Sequence, residues 1–131
     1  MPWNTATGVG FSPTGSAEPW LPIPSGWRRH AVSRQTRDDG STLHLYRRAL
    51  TLRAEHPALG SGEATVSTAG DVLTVRGTGE GRAVRCVLNM GAETVLVRAS
   101  GTVLLASAAH VHASGRSIAL PPDTAVWVAE D

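Results

Sequence analysis

The 131 residues are 41% hydrophobic and 18% charged, with a net charge of +1, a balance that suits one globular domain or slightly more and excludes a disordered or collagen-like chain. A chain of this length buries roughly two thirds of its unfolded surface, enough for a modest core, whereas a large substrate-enclosing barrel takes about 250 residues. All twelve basic residues are Arg, near-neutral charge argues against a nucleic-acid partner, and one cysteine excludes an intrachain disulfide framework and fits a reducing compartment.

The chain carries no basic start followed by an apolar core of the kind that marks a signal peptide. Its longest apolar stretch, around Val103 to Val111, falls far short of the ~20 residues of a membrane span. A cytoplasmic protein without a membrane partner is expected.

Residues 1–40 hold five of the eight prolines and three of the four tryptophans, Trp3, Trp20 and Trp27, without a sustained period of 2 or 3.6. This leader reads as irregular. Its aromatic content argues for packing rather than disorder, on a surface that the chain itself does not obviously contain.

From Ser41 to about His56 the pattern is helical, with Ser41 or Asp39 as N-cap and His56-Pro57, then Gly60, as the stop. Leu43, Leu45, Tyr46, Ala49, Leu50, Leu52 and Ala54 fall in an arc of about 200° at 100° per residue, and a helix apolar over half its circumference packs against two neighbours. Arg53 lies inside that arc, so it is expected either to reach a carboxylate or backbone carbonyls or to snorkel to the helix end.

Seven short runs rich in β-formers follow: Ala64–Val66, Val72–Val75, Val84–Leu88, Thr94–Val97, Val103–Leu105, Ser117–Leu120 and Ala125–Val128. Turn signals separate them, namely Ala69-Gly70-Asp71, Gly77-Thr78-Gly79-Glu80-Gly81, Asn89-Met90-Gly91, Ser100-Gly101, Ser114-Gly115 and Pro121-Pro122-Asp123. The expected fold is mainly β: a small antiparallel β-sandwich, preceded by the irregular Trp/Pro-rich segment and one amphipathic α-helix.

Catalytic constellations are missing. The glycine-rich Gly77–Gly81 stretch joins two strand-like runs and opens no helix, so it is a hairpin loop rather than a phosphate cradle. His110 and His112 alternate on one face but have no neighbouring third ligand, and neither metal nor cofactor is expected. Cys86, in an alternating strand, reads as a buried inert thiol. Asp38 and Asp39 stand at a helix entrance, where they complement the macrodipole. Trp3, Trp20 and Trp27 are the only groups with a binding flavour, since flat indole faces stack on sugars, although packing accounts for them as well.

The order of motifs carries a resemblance. Met1-Pro2-Trp3-Asn4, Gly10-Phe11-Ser12, Pro19-Trp20-Leu21-Pro22, Gln35, Asp39-Gly40-Ser41-Thr42-Leu43-His44-Leu45-Tyr46-Arg47 and Leu52-Arg53-Ala54-Glu55-His56-Pro57-Ala58-Leu59 resemble the last part of bacterial α-glucosidases of the α-amylase superfamily, glycoside hydrolase family 13. Val87-Leu88-Asn89, Val103–Ser107 and Leu120–Ala125 resemble the β-sandwich domain that follows the barrel in those enzymes.

The resemblance implies that residues 1–60 are the end of a (β/α)8 barrel, a loop plus its last helix, and residues 61–131 the C-terminal sandwich. The second neighbour of the wide apolar stripe would then be the barrel. Family members hydrolyse terminal α-glucosidic bonds with retention, using a nucleophilic carboxylate, an acid/base and a stabilising Asp. All three lie upstream of the matched region, and none of Glu18, Asp38, Asp39 or Glu55 matches their motifs. No catalytic residue carries over, and Trp3 and Asn4 are at most substrate-proximal. Met1 coincides with a methionine internal to the family motif, as in a reading frame begun inside a longer gene. The expected partner is an α-linked gluco-oligosaccharide bound through the missing barrel. Alone, the chain is expected to associate through the exposed helix and a mobile leader.

Overall fold

The computed structural model describes residues 1–13, 15–60, 62–98, 101–111, 113–114 and 116–130. The chain divides into two compact units, Met1–Arg47 and Arg48–Asp131, and the division falls inside the one long helix.

The first unit is irregular, as its composition implies, yet its backbone groups are paired locally. The amides of Trp3 and Asn4 donate to the Val9 carbonyl at 2.9 and 3.4 Å, closing a loop around Val9, which is buried at φ 46° between Gly8 and Gly10. Two 3₁₀ turns, Thr7–Gly10 and Ser25–His30, lead to a short helix α1 at Val32–Gln35. Val32 donates to the Pro2 carbonyl and Ser33 to that of Trp3, both at 3.0 Å, which fastens the chain start to α1. Pro2, Val9 and Ala31 are buried.

Helix α2 spans Thr42–Glu55, one residue inside each expected end. Ser41 is its cap: the Ser41 hydroxyl accepts from the His44 amide at 3.4 Å and donates to the Gln35 carbonyl at 2.8 Å. Leu43, Leu45, Ala49 and Leu52 are half-buried, whereas Tyr46, Leu50 and Ala54 are exposed, so only part of the apolar arc is covered. Arg53 is also exposed and makes no ion pair among the described residues. The expectation of a carboxylate or carbonyl partner for it is therefore corrected: its guanidinium meets no such group among the described residues, and its exposure fits the alternative of a side chain that snorkels outward. The residues read as a stop signal, Pro57–Gly60, form one further turn of helix, α3, with proline at the first position where its missing N–H is harmless.

The second unit contains all seven expected strands and a short eighth: β1 Glu63–Ala69, β2 Val72–Gly79, β3 Arg82–Asn89, β4 Val95–Arg98, β5 Gly101–Ala106, β6 Ala113–Ser114, β7 Ser117–Leu120 and β8 Thr124–Glu130. They form a five-stranded sheet in the order β1-β2-β3-β8-β5 and a three-stranded sheet in the order β4-β7-β6, with every pairing antiparallel. The fold is mainly β, as expected. Val87, Val126 and Val128 of the larger sheet close on Ile118 and Leu120 of the smaller, and Val72, Val95, Val97, Val103 and Ala106 pack around them. The expected turns Ser100-Gly101 and Ser114-Gly115 lie partly outside the described residues.

The Gly77–Gly81 stretch departs from its reading as a five-residue loop. Pairing continues to Gly79↔Arg82, leaving a two-residue turn, Glu80-Gly81, with φ of 51° and 72°. Two consecutive positive φ values make a type I′ turn, whose twist matches the strands it joins. Gly77 and Gly79 are strand residues because α3 lies against them: a Cβ on Gly77 would come within 1.9 Å of the Ala58 carbonyl oxygen, and one on Gly79 within 2.8 Å of the Pro57 backbone.

Candidate functional site

In the first unit, a groove of about 740 Å³ is lined by Val9, Glu18, Pro19, Trp20, Ile23 and Arg28, among others. Pro19 and Pro22 stiffen the chain on either side of Trp20, and the indole is 92% exposed. Such a flat face beside one carboxylate and one guanidinium suits a polyhydroxylated ligand, which stacks and hydrogen-bonds at once. Trp3 and Asn4 do not line this groove. Trp3 is half exposed, and the Asn4 carboxamide oxygen accepts from the Ala6 amide at 3.0 Å. Both abut Gly10, where a Cβ would meet Trp3 Cβ at 2.8 Å and Asn4 Nδ2 at 3.0 Å. Trp27 meets Phe11 edge-on, with ring centroids 6.3 Å apart. The three leader tryptophans thus occupy three different surroundings.

The carboxylates near α2 serve the fold. Asp38 accepts from the Gly40 amide at 3.0 Å, and Asp39 lies 3.8 Å from His44 Nδ1. Gln35, which the sequence offered only as part of the family resemblance, is a structural hub. Its Oε1 accepts from the Leu43 amide at 3.1 Å, and its Nε2 donates to the His30 carbonyl at 2.7 Å, so it serves the first turn of α2 and the end of a 3₁₀ turn together.

In the second unit, an open groove at the end of the larger sheet holds Glu63, Arg76, Glu80, Arg82 and Glu130. Arg76 donates to Glu130 at 2.5 Å, and Arg85 Nε lies 3.5 Å from the same carboxylate. Three carboxylates and two guanidinium groups are interleaved there, so the groove is not a patch of one sign of charge.

Cys86 is half-buried; burial raises its pKa above the ordinary 9.0, against a smaller opposing effect of a hydrogen bond with Trp127. The thiol is held neutral, as an inert thiol should be. His110 is exposed and His112 lies outside the described residues. Among the described residues no three His, Cys, Asp or Glu side chains gather as a metal site, and no helix is long and apolar enough to cross a membrane.

Asn89 ties the two sheets together. Its Nδ2 donates to the carbonyls of Glu93 at 2.8 Å and Leu120 at 2.9 Å, and its Oδ1 accepts from the Gly91 amide at 3.0 Å, all from a fully buried position. The motif that suggested the sandwich therefore contains the residue that joins its layers.

Residues 59–127 match the model of a family described as "Domain of unknown function (DUF3459)". The chain belongs to that family. Its DUF3459 region covers all of the strands up to Trp127, and the resemblance to the C-terminal part of α-amylase-superfamily enzymes stands. A protein of Rhizobium meliloti (strain 1021) named a probable alpha-glucosidase is 40% identical over 94 residues, which are 71% of this chain and 16% of that one. Among solved structures, the alpha-glucosyl transfer enzyme XgtA is 29% identical with a TM-score of 0.77, covering 100% of this chain and 25% of its own. The trehalose-6-phosphate hydrolase of Bacillus licheniformis, 15% identical with a TM-score of 0.81, shares the fold over 98% of this chain and 25% of its own. This DUF3459 chain therefore spans a sixth to a quarter of the length of these relatives.

Proposed function

We propose that the chain is the C-terminal portion of a glycoside hydrolase acting on the α-glucosidic bonds of oligosaccharides. The observation that carries this is the 40% identity to the Rhizobium meliloti protein over 94 residues, 71% of this chain. The catalytic carboxylates lie elsewhere in the whole protein. In support, Asp38 and Asp39 are engaged at the entrance of α2, and Glu130 of the sheet-end groove is paired with Arg76 and Arg85.

The exposed row Tyr46, Leu50 and Ala54 is the helix face that the rest of the enzyme covers, and Trp3 and Asn4 stand close to bound substrate without touching the reacting bond. A cytoplasmic location goes with this reading, since a single cysteine needs no oxidising compartment. The purified chain gives no turnover of maltose or of nitrophenyl α-glucoside; turnover would place a complete site within it and overturn the reading. About 1.5 kilobases of DNA upstream of the Met1 codon encode a barrel with the three carboxylates, in frame or one frameshift away. An unrelated gene there would also overturn it.

The exposed indole of Trp20 beside its groove favours a second reading, a module that binds carbohydrate without cleaving it. Titration with maltose or dextrin then changes the tryptophan fluorescence of the wild type and not of Trp20→Ala, and a flat wild-type response removes this reading.

A further inference from the structure

The two edges of the larger sheet differ in a way that points to a partner. On β5 the pairing with β8 is broken by a bulge between Val103 and Leu105, and the Leu104 carbonyl oxygen accepts a hydrogen bond from Arg48 Nη2 at 3.0 Å. Bulges and capped carbonyls are the means by which natural sheets keep an edge from pairing with another chain. Among the described residues strand β1 has none of them. It pairs with β2 without interruption from Glu63↔Thr78 to Ala69↔Val72, it contains no proline and no basic residue, and every one of its side chains is exposed, Val66 by 68%.

The turn decides which of its backbone groups are free. Ala69 and Val72 flank a two-residue turn in which Gly70 has φ 57° and Asp71 does not have a positive φ, the type II′ arrangement, and the pair that closes such a turn is hydrogen-bonded. Alternation along the ladder then directs the N–H and C=O groups of Glu63, Thr65, Ser67 and Ala69 towards β2. Those of Ala64, Val66 and Thr68 point outward, unpaired by the sheet.

We propose that β1 is the interface of a two-fold dimer, in which β1 of one chain adds antiparallel to β1 of a second copy with Val66 facing Val66 on the axis. This is the one symmetric register that pairs all the outward-facing groups, Ala64 with Thr68 and Val66 with itself. Its side chains are compatible with their own copies. Glu63 falls opposite Ala69 rather than another Glu63, Thr65 falls opposite Ser67 as a hydroxyl pair, and the exposed Val66 meets an identical aliphatic surface. The larger sheet becomes continuous across the axis.

The test combines sedimentation of the 131-residue chain with amide hydrogen exchange at low and high concentration. As the mass doubles from 13.7 kDa, exchange at Ala64, Val66 and Thr68 slows at least tenfold, while Thr65 and Ser67 are protected at every concentration. Val66→Lys sets two ammonium groups on the axis, and Thr68→Pro deletes an N–H that the β1–β2 ladder does not use; each returns the chain to a monomer. A wild-type chain that stays monomeric at about 1 mM overturns the proposal and leaves the edge to a foreign strand. A dimer whose Ala64, Val66 and Thr68 amides exchange freely also overturns it, and moves the contact to the apolar face of α2.

Discussion

The first unit buries few side chains, among them Pro2, Val9 and Ala31, and is held by single hydrogen bonds from chain start to α1 and from Gln35 and Ser41 to α2. The second closes two sheets on a core of branched aliphatic residues and crosses between them with a buried amide. Where burial supplies the free energy, any change in volume or polarity inside is felt throughout the unit. Where local hydrogen bonds supply it, loss of one partner loosens one turn.

The sharpest way to break this contrast is Asn89→Leu. It orphans the Leu120 and Glu93 carbonyls and the Gly91 amide, and it should destabilise the sandwich by about 3 kcal/mol, measured by denaturant unfolding followed at Trp127. Gly77→Ala drives a Cβ into the Ala58 carbonyl and should cost about 2 kcal/mol in the same assay. Ser41→Ala removes the cap of α2; a loss of about 1 kcal/mol, seen as faster amide exchange in the first turn of the helix, would mark it as local. Glu80→Asn installs Asn-Gly in the type I′ turn and should stabilise the sandwich by about 0.5 kcal/mol.

The thiol adds a pH dependence. Because the folded chain holds the Cys86 proton more tightly than the unfolded one, this contribution to stability is complete below the ordinary pKa of 9.0 and is lost as pH rises above it. Cys86→Ser should flatten the alkaline limb of a stability–pH curve.

Much of the sandwich could be read from the sequence because β-formers gather there in short runs between turn signals, and each of the seven runs after Gly60 became a strand. The reading failed where backbone proximity, rather than side chains, fixed the outcome. Gly77 and Gly79 looked like loop residues, yet their missing Cβ atoms are what let α3 lie on β2. Strand β6, Ala113–Ser114, carries no pattern at all. In the leader, composition indicated irregular packing but could not show that Gln35 would bond to both His30 and Leu43, since such bonds depend on a tertiary approach. The breadth of the apolar arc on α2 was legible too, although only part of it is covered and Tyr46 and Leu50 are exposed.

Strand order has a consequence for how the molecule is made. The strand that joins β3 to β5 in the middle of the larger sheet is β8, which follows every other strand in the chain. During synthesis the β1-β2-β3 meander can zip up from its tight turns as soon as it emerges. The half-sheet must then wait, with one side of β3 open, until Thr124–Glu130 leaves the ribosome and closes a loop of more than thirty residues. Ribosome stalling before Thr124 would hold the protein at its most adhesive stage, so translation of Thr124–Glu130 governs whether the nascent sheet closes or aggregates.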